Sequence, residues 1–80
     1  MKSDIVLVSF EDTFFIDPVT AVGLLWLQCH FPMEEWEYLS MGAAFIDCTS
    51  ASMLAMDAED SGLAVGFSKS KENFIPGFHD

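Results

Sequence analysis

The eighty-residue chain is apolar, aromatic and strongly acidic, which argues against several classes of protein. Hydrophobic residues form 51% of the sequence and aromatic residues 14%, enough for one small domain with its own core and too apolar for a disordered chain. Thirteen acids against three lysines give a formal net charge of -10. Nucleic acids and anionic membranes are bound largely through lysine and arginine, so direct binding to either is disfavoured. A basic protein surface is the favoured partner.

The positions of the lysines and cysteines add two expectations. All three lysines lie near the ends of the chain, at Lys2, Lys69 and Lys71, so the body of the domain lacks cations for internal ion pairs. Cys29 and Cys48 are too few for a disulfide framework. The N-terminal residues lack the basic region and apolar core of a signal peptide. We therefore expect a cytoplasmic protein whose thiols pack in its interior.

Two short segments near the N terminus predict a β-hairpin. Residues 5–10 alternate β-branched and aromatic side chains between two faces, which is typical of a strand. Residues 13–16 are a second strand candidate. Glu11 and Asp12 would connect them, although neither is the glycine that tight hairpin turns favour.

The longest apolar run predicts the central helix of the domain. Asp17 is a residue type that caps helices, and Pro18 suits the first helical position, so the helix is expected from Pro18 to about His30. Apolar side chains occur on nearly every side of it. We expect such a helix to be covered on most sides, by its own domain or by a partner.

Two more helices and two more strands are predicted in the second half. Pro32 followed by acids begins a second helix, which runs to Met41 and ends at Gly42 in a left-handed cap. Residues 43–46 are a strand candidate, followed by a third helix over about 50–61 that is capped by Asp47 or Thr49. The predicted inner face of this helix comprises Ala51, Leu54, Ala55 and Ala58.

The sequence ends with a fourth strand candidate at residues 63–67 and a C-terminal tail at 68–80, either docked or disordered. The tripeptide Phe-Ile-Asp occurs at 15–17 and again at 45–47, each time where a strand is expected to lead into a capped helix. Two such units indicate crossover packing of helices on one sheet. We therefore predict a single α+β domain over residues 1–67, with a small mixed or antiparallel sheet of about four strands and three helices packed on it.

No arrangement of residues names a reaction or a cofactor. The cysteines and histidines lack the paired spacing of a zinc site, so no metal site is predicted. Cys48 has no lysine or arginine nearby to favour its thiolate. The carboxylates are either a solubilising surface or spaced negative charges that imitate a phosphate backbone, with apolar side chains among them as anchors. The candidate partner-binding residues are Glu34, Glu35, Glu37, Tyr38, Met41, Asp57, Glu59 and Asp60.

In size and acidity the chain resembles phage-encoded inhibitors such as anti-CRISPR proteins, some of which mimic nucleic acid. The resemblance implies a non-enzymatic inhibitor that occupies a basic, nucleic-acid-binding surface of its partner. The alternative is a homodimeric structural or assembly protein, whose seam is the first helix or exposed aromatic residues and whose acids only provide solubility. Salt weakens a charge-driven complex and leaves a hydrophobic seam largely unaffected, which distinguishes the two.

Overall fold

A computed structural model describes residues 3–69, which form a four-stranded mixed sheet with three α-helices. The predicted α+β class, the number of strands and the number of helices are confirmed. The elements are β1 (Ile5–Phe10), β2 (Thr13–Pro18), α1 (Ala21–His30), a 3-10 turn (Met33–Glu35), α2 (Trp36–Met41), β3 (Phe45–Asp47), α3 (Cys48–Asp60) and β4 (Val65–Lys69).

The strands lie in the order β3-β2-β1-β4. β1, β2 and β3 are antiparallel neighbours, and β4 is parallel to β1. Leu7 lies opposite Ile16 on β2, and Ile5 lies beside Val65 on β4. The parallel pair requires the chain to cross the sheet between its strands, and the helices provide that connection.

The core lies between one face of the sheet and the helices. Ile5, Leu7 and Ile16 share a strand face and are fully buried, together with Leu27 of α1 and Leu39 of α2. The four residues predicted as the inner face of α3 are all buried in the same cluster. All three helices therefore cover the same face of the sheet, which we call the inner face.

The start of α1 differs from the prediction. β2 continues through Pro18, which pairs with Ile5, and Asp17 is exposed. Thr20 caps the helix instead, since its hydroxyl accepts a hydrogen bond from the Gly23 N–H at 3.1 Å. The Val19 N–H donates to the Asp4 carbonyl at 2.8 Å, so the residue just before the cap is still bound to the residue that precedes β1.

The Asp4 side chain connects both ends of the described chain. Its carboxylate accepts hydrogen bonds from the Ala64 N–H at 3.0 Å and from the Thr20 hydroxyl at 2.8 Å. These two hydrogen bonds lower the pKa of Asp4, and the bond from the Ala64 N–H has the larger effect. Because the pKa of Asp4 is lower in the folded protein than in the unfolded one, the charged carboxylate stabilises the fold. This contribution is fully present above the unfolded pKa and is lost as the pH falls through the folded pKa.

The part of the chain that the structure describes covers α1 on fewer sides than expected, and covering by a partner, the other possibility, stays a prediction. Only Gly23 and Leu27 of this helix are buried, whereas Val22 and Leu25 are 60% and 62% exposed. A single sheet face contacts α1 along one side, and α2 contacts another. The remaining apolar side of the helix stays open among the described residues.

The other differences concern boundaries and the thiols. β3 and β4 each begin two residues later than predicted, and α3 begins at Cys48 because Asp47 is the cap that accepts from the Ser50 N–H at 2.8 Å. Gly42 ends α2 in the left-handed conformation, as predicted. Both cysteines are exposed, which contradicts the expected interior packing. β4 extends to Lys69, and the predicted tail from residue 70 onward lies outside the described residues.

Candidate functional site

The acids around α2 share an outward surface with two apolar side chains. Glu34 and Glu37 are exposed and Glu35 is half-buried. Tyr38 is 52% exposed and Met41 64% exposed. Glu37 and Met41 are four positions apart and therefore neighbours on the helix surface. This group, Glu34, Glu35, Glu37, Tyr38 and Met41, is called the α2 cluster below.

Two inward side chains fix the position of the α2 cluster. Leu39 is fully buried in the core. The Trp36 indole N–H donates to the carbonyls of Gln28 at 3.1 Å and Phe31 at 3.0 Å. These contacts attach a helix of only six residues to α1 and to the sheet, so its exposed side chains are presented from a defined position.

The three predicted acids of α3 do not form one patch. Asp57, Glu59 and Asp60 are all exposed, but two positions on a helix differ by about 200°. Asp57 and Glu59 therefore lie on opposite flanks of the buried stripe, and Asp60 points away from it. α2 packs on β2 and α1, whereas α3 packs on β3, β2 and β4, so the two predicted acidic groups lie on separate parts of the helical layer.

Asp57 lines an open groove between α1 and α3. The groove has a volume of about 310 Å³. Trp26 and His30 form one wall, with their rings stacked at 3.9 Å between centroids. The remaining lining residues are Phe31, Ile46, Ser50, Met53 and Leu54. This groove could not be found by sequence reasoning, because its walls come from elements that are distant along the chain.

The sheet face opposite the helices, called the outer face, carries a cluster of aromatic residues. Phe15 lies between Phe45 on β3 and Val8 on β1 in the strand register. Its ring centroid is 5.6 Å from that of Phe45 and 6.4 Å from that of Phe10. Phe45 is 63% exposed and Phe10 44% exposed. The alternation within each strand predicts that these residues share one side of the sheet, but it does not reveal that no helix within residues 3–69 covers that side.

Two acids occupy outer-face positions in the strand register, on either side of the aromatic residues. Asp17 pairs with Val6 and Asp47 pairs with Thr13. Hydrogen bonds from Ser50 lower the pKa of Asp47, and the bond from the Ser50 backbone N–H has the largest effect. Lys69, the single lysine or arginine within residues 3–69, pairs with Ser9 and so belongs to the inner-face positions. The outer face is thus apolar in its middle and negative at two of its borders.

The described residues offer little for metal chemistry. Within residues 3–69, no three histidine, cysteine, aspartate or glutamate side chains are grouped to hold an ion. No helix in that part of the chain has the length and apolar character to cross a bilayer. What the described surface offers is carboxylates beside exposed apolar side chains.

Comparison with known proteins identifies a family without adding a characterised relative. No curated protein and no solved structure matches the chain. The family of the cyanobacterial NIF11-like domain matches residues 6–69, which include every helix and strand described above except Ile5, the first residue of β1. The chain therefore belongs to the cyanobacterial NIF11-like domain family.

Proposed function

We propose that the domain is a non-enzymatic protein-binding module that occupies a basic surface of its partner, of the kind that otherwise contacts nucleic acid. The unbalanced surface charge carries this proposal. Within residues 3–69 every acid is exposed or half-buried, and Lys69 is the single lysine or arginine. Such a surface has a negative field that few internal cations reduce, which accelerates association with a positive partner.

The α2 cluster supports a specific contact as well as long-range attraction. Glu34 and Glu37 provide charge, and Tyr38 and Met41 expose apolar area beside them. Tyrosine and methionine are enriched in protein interfaces, where aromatic side chains often provide much of the binding energy. Inhibition would follow from occupancy, since a partner whose basic surface is covered cannot contact a phosphate backbone there.

Neutralising two acids of the α2 cluster tests this proposal. We expect Glu34→Gln with Glu37→Gln to weaken binding about tenfold at low salt, if each exposed charge contributes somewhat under 1 kcal/mol. The partner would first be captured from a cyanobacterial lysate with the wild-type domain, identified and purified. Affinity would then be measured by calorimetry over a salt series.

The matched control removes two charges elsewhere, with Glu11→Gln and Asp12→Asn at the hairpin turn. This pair should weaken binding less, and only through the loss of two negative charges from the protein as a whole. The thermal stability of both double variants should be unchanged or higher. A purified partner whose affinity responds neither to salt nor to the Glu34 and Glu37 changes would contradict the proposal.

We also propose a cytoplasmic location. Both cysteines are free and exposed, and reducing compartments preserve free thiols whereas oxidising ones favour disulfides.

A second candidate function is a homodimeric assembly protein, and α1 is the observation that favours it. This helix contains no carboxylate, and it exposes Val22, Leu25 and Cys29. Two copies of a chain with net charge -10 repel each other. A contact through α1 would bring few acids together at the seam, and a two-fold dimer is the commonest oligomer.

Light scattering with size exclusion tests the dimer. If α1 forms a seam, the wild type should have twice its 8.9 kDa mass at high and low salt. Leu25→Glu should give the monomer. Met56→Glu is the matched control, because Met56 is similarly exposed, at 65% against 62% for Leu25, but lies on α3. A wild type that remains a monomer at all concentrations would remove this candidate.

A further inference from the structure

The outer face of the sheet lacks a covering layer within the described residues. Sheets with one solvated face normally alternate apolar residues inward and polar residues outward. Here the inner face is buried, and the outer face still carries Val6, Val8, Phe10, Phe15 and Phe45. Contiguous apolar surface of this kind on a small domain indicates a contact site.

We propose that the outer face is the docking surface for a segment of the partner in which an aromatic or aliphatic side chain is flanked by lysine or arginine. This inference rests on the proposed function, and it places the main apolar anchor on the sheet instead of on α2. The middle of the face would receive the apolar side chain. Asp17 and Asp47 on its borders would pair with the flanking cations.

The aromatic residues are arranged to receive such a side chain. The centroid of the Phe15 ring lies 5.6 Å from that of Phe45 and 6.4 Å from that of Phe10, so each ring restrains its neighbour. Side chains that are already ordered lose less conformational entropy on binding. The face of an exposed phenylalanine ring also attracts a guanidinium or ammonium group, so both parts of the expected segment have complementary chemistry here.

Charge favours a different protein over a second copy as the occupant. Two outer faces meeting each other would bring the Asp17 and Asp47 carboxylates of both chains into one interface. Hydrogen bonds from Ser50 favour the charged form of Asp47, and Lys69 belongs to the opposite set of sheet positions. The lysine or arginine side chains of a basic segment would instead be attracted to these carboxylates.

Nuclear magnetic resonance titration with two synthetic peptides tests the inference on the full chain. The first peptide is Lys-Lys-Phe-Leu-Lys-Lys, and the second is Lys-Lys-Ser-Gly-Lys-Lys with the same charge. We expect the first to bind about tenfold more tightly, as a centrally placed aromatic anchor does. Its largest amide shifts should lie in β2 and β3, around Phe15 and Phe45.

Two variants with similar exposure test the face itself. Phe45→Ser should remove the advantage of the first peptide and leave the affinity of the second unchanged. Phe67→Ser is the control, because Phe67 is 59% exposed on the same sheet but belongs to the inner-face positions beside Leu7. It should leave both affinities unchanged, and circular dichroism would show that each variant is folded.

The outcomes separate this inference from the proposed function. Equal affinity for the two peptides, with shifts confined to α2, would overturn the docking surface and leave the proposed function standing. Binding of neither peptide at low salt would count against both. Concentration-dependent shifts in β2 and β3 without peptide, or nuclear Overhauser contacts from Phe45 to residues 70–80, would overturn the inference by showing a different occupant.

Discussion

Leu39→Ala is expected to lower the free energy of unfolding by about 2–5 kcal/mol, the range for removing a buried leucine side chain. Leu39 is fully buried, and it is the sole buried residue of the six in α2. Its loss leaves the Trp36 hydrogen bonds to Gln28 and Phe31 as the main attachment of this helix. Urea unfolding measures the change.

The same variant tests how the α2 cluster is held. Hydrogen exchange should show that α2 loses protection before the sheet does, since its exposed side chains contribute little to stability. Met41→Ala is the control on the same helix, and with Met41 64% exposed it should change stability by less than about 0.5 kcal/mol. Equal losses for the two variants would mean that α2 is not anchored through Leu39.

Gly23→Ala is expected to destabilise the fold by about 1–3 kcal/mol, the usual cost of overpacking. In an ordinary helix this change stabilises by roughly 0.5–1 kcal/mol. Here the added methyl group would overlap the Asp4 carbonyl oxygen and lie 2.9 Å from the carbonyl carbon. That carbonyl cannot easily move, because it accepts the hydrogen bond from the Val19 N–H.

Gly66→Ala separates this steric effect from the general effect of replacing glycine. A methyl group at residue 66 would meet the Ser3 hydroxyl at 2.6 Å, but that group is the end of a side chain that can rotate away. We expect a change of less than about 0.5 kcal/mol. Denaturant unfolding compares the two variants. If Gly23→Ala proved neutral or stabilising, the close approach of α1 to the Asp4 carbonyl would be refuted.

The repeated tripeptide shows how far local sequence determined the fold. Both copies form strands, and Phe15 pairs with Phe45 across β2 and β3. Asp47 caps α3 as its residue type suggests, whereas Asp17 caps nothing. The difference arises because the Asp4 carbonyl accepts a hydrogen bond from the Val19 N–H, a contact between the residue before β1 and the residue after β2. A local pattern carries no information about such a partner.

The candidate surfaces also differ in how far local sequence could predict them. Exposure of the α2 cluster could be expected from the sequence, because charged side chains are rarely buried without a partner. The separation of Asp57 from Glu59 could also be expected, because the predicted inner face of α3 is the stripe that the structure buries, and the two acids lie on opposite flanks of it. Exposure of the outer face could not be expected in this way, because it depends on whether helices pack on one side of the sheet or on both. An apolar strand position predicts burial, and only the assembled sheet shows that no helix within residues 3–69 lies over Phe15 and Phe45.

The parallel pairing of β4 with β1 has a consequence for the order of folding. The β1–β2 hairpin joins adjacent residues and can form within microseconds. The contact of Asp4 with Ala64 spans 60 positions, so β4 must wait for a costly loop closure across most of the domain. Until then, one edge of β1 exposes unpaired backbone groups. We expect aggregation during refolding to arise from this interval, through strand pairing between chains.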